Sequence, residues 1–258
     1  MRVYQCEDSI EGVFTAIYNA YEDRSNPMDT RLSLTEELLL FAEYRAVVTN
    51  TGKAIKVADT LRRRFGEENY FWICLALSAE DEEKAQAVYR TVVHGLTVNS
   101  RPEHLYDHLA DADVHKVFAL GRNANYEYLH MRGFLRFEEL EGNVLYAEMG
   151  PKNNLMTFLM PHFADRLPME HFLIYDEKRH LYGVHPAGRD WYLVQGEMPD
   201  MKELSGAARD KAHAGEVDYQ ELFRYFCEKI GVEERRNPEL QRNMLPLRFR
   251  GYMTEFQK

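Results

Sequence analysis

The chain has 258 residues, 45% of them hydrophobic, and a formal net charge of −10 at neutral pH. That length suits one large domain or two small ones, and no run approaches the ~18 apolar residues of a membrane span. The acidic balance argues against non-specific coating of nucleic acid, which relies on Lys and Arg neutralising phosphates, but leaves room for a local basic groove.

In chain order, "RVYQC" reads as a short strand and "EDSIEGVFTAIYNAYEDR" as a helix, with Ile10, Val13, Phe14, Ile17 and Tyr21 at helical spacing. Asp8 or Ser9 is its expected cap, and Glu11 sits early in the first turn, where the helix dipole favours an acid. "RSNPMDTRLSLT" reads as a polar linker and "YRAVVTN" as a strand closed by Asn50 and Gly52. "GKAIKVADTLRRRFG" is an amphipathic helix expected to end at Gly66. "NYFWICLALSA" and "DEEKAQAVYRTVVHGLTV" are helical, the first apolar on nearly every side and so expected in a core. The segment from Pro102 to Phe134 predicts two more helices, starting at Pro102 and Asp113.

At Gly133 the period changes. "FLRFEELEGNVLYAEMG" alternates about Glu141, Gly142 and Asn143 as a β-hairpin does. "NNLMTFLMPHFADRL" is a helix with Pro161 inside it, expected to kink there or to start a second helix. Residues 171 to 195 supply two or three strands. "DYQELFRYFCEKIG" is a helix ended by Gly231, and the last segment is partly helical. The expected class is α+β, with small sheets, a helical middle and a soft boundary that separates a strand–helix region, 1–84, from the remainder, 85–258.

The chain has no GxxxxGK[ST] loop, no GxGxxG after a strand, no HExxH, no GxSxG and no HxE with PCxxC. Cys6, Cys74 and Cys227 form no CxxC pair, so neither a zinc ribbon nor an iron–sulfur motif is expected, and scattered thiols in odd number suit a reducing cytoplasm. The chain passes from its first strand straight into acids, so no signal peptide is expected. No resident cofactor is expected either.

Several constellations carry chemistry. His162 and Arg166, at i and i+4, point from one helix face and suit a phosphate, unless Arg166 merely bridges to Asp165 or Glu170. In "IYDEKRH", strand alternation sets Asp176, Lys178 and His180 on one face and Glu177 and Arg179 on the other, although a plain hairpin turn explains the same letters. Arg122, Arg132 and Arg136 alternate with Tyr126, Tyr128, Phe134 and Phe137, a pattern suited to stacked bases and paired phosphates if the rings are not core. Between positions 235 and 250, Arg235, Arg236, Arg242, Arg248 and Arg250 face a single acid, Glu239; they suit phosphates or the acidic N-terminal half equally. His104, His108 and Asp111 lie at zinc-like spacing, but no further ligand is dictated, and no metal site is assigned.

Four of these pieces together resemble a bacterial family assigned to DNA metabolism and DNA repair without a demonstrated activity. They are "MRVYQCEDSIEGVFTAIYNAY", "HMRGFLRFEE", "MPHFADRLPMEHFLIYDEKRH" and "ERRNPELQRNMLPLRFRGYMTEF", which span nearly the whole chain in order. Residues from about 85 to 250 resemble that family's domain of unknown function. The resemblance implies a gene encoded beside a radical-SAM protein similar to DNA photoproduct lyases. In some relatives a similar region is fused to a uracil-DNA glycosylase-like domain, a fusion not expected here. The family brings no catalytic residues to carry over.

The expectation drawn from residues and resemblance together is a nucleic-acid-binding accessory partner of a radical-SAM DNA repair protein. Arg132, Arg136, His162, Arg166 and Arg179, with Arg242 and Arg248 of the tail, would hold DNA backbone or a modified base, and Asp176 would orient one arginine. Two alternatives stand beside it. One is a nucleobase hydrolase or glycosylase-like enzyme with His162 or Asp176 as general base. The other is a protein-interaction module without DNA affinity.

Overall fold

The structure, a computed structural model, describes residues 1–35, 39–97, 105–106, 108–140 and 144–196. The class is α+β, in two compact units. The described part of the first is Met1–Glu127 with Lys152–Asn154, and that of the second is Tyr128–Pro151 with residues 155–196.

The first unit opens with β1 (Arg2–Gln5) and α1 (Ile10–Glu22). Ser9 is the residue that caps α1: its side chain accepts from the Gly12 amide at 2.9 Å. The expected polar linker then contains a 3-10 turn, Pro27–Asp29, and a strand, β2 (Thr30–Ser33). The linker reading is thereby corrected. β2 runs parallel to β1, Arg2 opposite Thr30, with Thr30 and Leu32 buried. β3 (Glu43–Ala46) pairs with the other side of β1, also parallel, which gives the order β2-β1-β3.

From its Asn50 cap, α2 runs Thr51–Ser78. Gly66 ends the first helical stretch, as expected. It breaks α2, at φ 82° and ψ 164°, and the chain resumes its helix on the far side. A positive φ of this kind is open to glycine at little cost. α1 and α2 pack on each other, burying Val13, Phe14 and Ile17 of the first and Leu61, Phe65 and Tyr70 of the second, with the Phe14 and Tyr70 rings 6.3 Å apart. Each such aromatic or aliphatic side chain contributes about 1.5–3 kcal/mol by leaving water. α3 (Lys84–Thr97) packs on α2 and β2 in the same unit. Its first residue, Lys84, is buried, and its Nζ donates to Ala79 O at 2.7 Å and pairs with Asp8 at 2.6 Å.

α4 (Ala112–Phe134) carries the chain into the second unit. There β4 (Glu138–Leu140), β5 (Val144–Met149), β6 (His171–Asp176), β7 (Leu181–His185) and β8 (Tyr192–Gln195) form a sheet in sequence order. All neighbours are antiparallel except β5 and β6, which are parallel and joined by α5 (Met156–Arg166). Pro161 lies inside that one helix, which continues across it. Tyr146, Leu173, Tyr175, Tyr182, Val184 and Val194 make one buried sheet face. Gly183 lies on the other, where a Cβ would collide with the sulfurs of Met160 and Met156, so α5 seats directly on the strand backbone. The helices expected after position 196, and most of the one expected from Pro102, lie outside the described residues.

Candidate nucleic-acid interface

The site is built in the second unit from the end of α4 and the last turns of α5. Tyr128 of α4 packs edge-on against Phe158 of α5, ring centroids 6.3 Å apart. One turn on, the Arg132 guanidinium lies over the Tyr128 ring, 5.4 Å from its centroid. The ring holds the cation without neutralising it. On α5, Phe163 is buried and sets the helix rotation, which leaves His162 half-buried and Arg166 exposed. The His162 pKa is lowered, first by burial and then by the positive charges of Arg132 and Arg166, with Asp165 opposing in part. Arg132 and Arg166 are therefore each within electrostatic reach of His162. Among the described residues, neither arginine has an acidic ion-pair partner. A neutral imidazole within reach of two guanidinium groups can donate one hydrogen bond to an anionic oxygen, and gains a second donor if that anion restores its proton.

Asp176 and Arg179 stand elsewhere. β5 and β6 are parallel, so α5 runs back along the sheet, and its Arg166 end meets the start of β6. Asp176 closes the far end of β6, beyond about 17 Å of strand. It is fully buried, and both its oxygens are engaged: Oδ1 accepts from the Lys178 amide and Oδ2 from Arg179 Nη1, each at 3.1 Å. Burial raises its pKa, and Arg179 and the two turn amides work against the rise. Arg179 Nη1 also donates to Pro151 O at 3.1 Å. The pair thus locks the β6–β7 turn, where His180 takes a left-handed φ of 49° and Tyr175 and His180 share a 3.0 Å hydrogen bond.

Arg136 bonds locally, its Nη1 donating to Gly133 O at 2.8 Å and Leu135 O at 3.1 Å at the end of α4. The alternation of arginines and aromatics divides around that helix. Tyr128 and Arg132 share one side, while exposed His130 and Phe134, one turn apart with rings 5.9 Å from each other, share the other. Arg242 and Arg248 lie outside the described residues, as does His104. His108 lies in the first unit, its ring 5.7 Å from that of His94, whose Nδ1 is 3.4 Å from Asp111. Among the described residues, no three His, Cys, Asp or Glu side chains gather to hold a metal ion, and no helix is long and apolar enough to cross a membrane. Sequence reasoning named Tyr128 and Arg132 in one alternation but not their stacking on each other, which the i, i+4 spacing allows.

None of the curated proteins matches the chain. The family described as a domain of unknown function, DUF4130, matches residues 82–255, well over half of the sequence and including every residue of this cluster. On that match the chain belongs to the DUF4130 family.

Proposed function

We propose that this protein binds nucleic-acid backbone through Arg132, His162 and Arg166, as an accessory partner of a radical-SAM DNA repair protein in a reducing cytoplasm. The observation that carries the reading is the joint pressure of Arg132 and Arg166 on His162. Two cations bearing on one imidazole favour an entering anion, and planar guanidinium groups match the oxygens of a phosphate. The overall acidity does not oppose this, because backbone contact depends on local charge. The sequence resemblance supplies the DNA setting and the radical-SAM partner, and the buried cysteines Cys6 and Cys74, not joined in a disulfide, accord with the compartment.

The test is a fluorescence-polarisation titration of labelled single- and double-stranded oligonucleotides, repeated as salt is raised. Binding should weaken with salt, and Arg132→Ala with Arg166→Ala should reduce affinity by at least about tenfold at low salt. No binding at low salt, or equal binding by the double variant, overturns the reading. Co-purification with the radical-SAM protein encoded nearby tests the partnership separately. A hydrolytic reading rests on the same imidazole: kept neutral, His162 can take a proton from water. Base release from damaged DNA by the purified protein, lost in a folded His162→Ala variant, is the result that supports it.

A further inference from the structure

The two helices that carry the cluster are matched step for step. Tyr128 of α4 meets Phe158 of α5, ring centroids 6.3 Å apart, and four residues on from each come Arg132 and His162. The contact that seats the rings thus carries a guanidinium toward the imidazole, and one further turn along α5 adds Arg166 on the same face. Toward the sheet the surroundings are apolar. The Phe163 ring stands edge-on to His162 at 5.0 Å and packs in turn on Phe137 at 5.2 Å, which itself packs on Phe172 at 5.7 Å. Among the described residues, the charged groups that bear on the imidazole are Arg132 from α4 and Arg166 and Asp165 from its own helix. Beside apolar rings a charge is felt more strongly than in water. Burial, and two cations against one acid, keep His162 short of its proton.

We infer that this imidazole couples nucleic-acid binding to proton uptake, so that a backbone phosphate seated on Arg132 and Arg166 is held more tightly as pH falls. The inference rests on the proposed function and adds its regulation. A phosphate beside the two guanidinium groups offsets their field at His162, and its oxygens accept a stronger hydrogen bond from imidazolium than from imidazole. Both effects favour the protonated ring in the complex over the protonated ring in the free protein. By linkage, the complex gains as protons become plentiful. Affinity rises as pH falls through the His162 pKa of the complex, and levels off below that of the free protein. The proton comes from solvent and returns there on release.

The test is a polarisation titration at constant ionic strength with an internally labelled oligonucleotide that ends in hydroxyl groups. Every phosphate is then a diester, and none titrates at about pH 6 as a terminal monoester does. Kd should fall about tenfold from about pH 8 to about pH 5.5. His162→Gln should lose most of that gain. It keeps every other histidine, so a gain from reduced net negative charge alone would survive in it. His130→Gln, on the other side of α4, should keep the gain. Ring-proton NMR gives a second readout: the His162 titration midpoint should rise in Arg132→Ala without ligand, and in the parent chain on adding the oligonucleotide. Equal gains in parent and His162→Gln, a Kd indifferent to pH, or a midpoint unmoved by the oligonucleotide overturns the inference, while arginine-dependent binding leaves the proposed function standing. No binding at any pH overturns both.

Discussion

The Arg132 guanidinium carbon lies 5.4 Å from the centre of the Tyr128 ring, one helical turn behind it. A flat cation over a ring keeps its in-plane N–H donors free for another partner, which a point-like ammonium cannot reproduce. Arg132→Lys should therefore weaken oligonucleotide binding several-fold while leaving the salt slope nearly unchanged. Arg132→Ala should lower that slope by about 0.7–0.9, the value of one phosphate contact. Slopes from polarisation titrations at several salt concentrations separate the two.

His171 sits where β6 begins, and its Nδ1 accepts from the Ala187 amide at 3.2 Å, which requires an unprotonated nitrogen. Burial lowers its pKa, with Glu170 opposing, and His162 is lowered too. Both groups bind a proton more readily when unfolded. Their stabilisation is therefore present above the unfolded value of about 6.5 and is lost as pH falls through the lower folded values. Thermal midpoints should drop between neutral and mildly acidic pH, and His171→Gln should flatten part of that drop.

Asp176→Asn removes the charge that faces Arg179 across 3.1 Å. Arg179 is partly solvated, so the cost should be about 1–3 kcal/mol rather than that of a fully buried pair. Chemical denaturation measures it. Oligonucleotide affinity should stay within about twofold of wild type. Loss of a DNA-dependent activity at unchanged stability would instead make Asp176 part of the chemistry.

Two glycines should fail for different reasons. Gly66→Ala meets no atom within 4 Å but must hold φ 82° and ψ 164°, a region essentially confined to glycine, at a backbone cost of about 1–3 kcal/mol. Gly183→Ala keeps a normal strand backbone and strikes two methionine sulfurs, an overpacking cost of about 1–3 kcal/mol. Met160→Ala should rescue part of the second loss and none of the first, a contrast that urea titrations would resolve.

What could be read in the sequence followed the range of the forces involved. The strands between His171 and Gln195 were legible because each is a local alternation bounded by polar turns. β2 was not, because its four residues lie in a run of Asn, Pro and Asp, and the partner that makes them a strand is β1, far back in the chain. The pairing of His162 with Arg166 was legible as one helix turn. Arg132, which bears on the same imidazole, comes from a different helix, and no spacing rule announces it. Arg179 follows Arg166 closely in sequence, but an extended strand carries the chain the length of the sheet between them.

Lys84 has a consequence for how this family is handled in the laboratory. The family match opens at residue 82, yet this ammonium two positions later reaches back to Asp8, and its helix rests against α2 and β2. Excising the matched span would strip Lys84 of its counter-ion and lay bare Ala85, Val88, Tyr89 and Val92. The matched residues are thus not a portable module, and autonomous expression needs the first eighty residues as well.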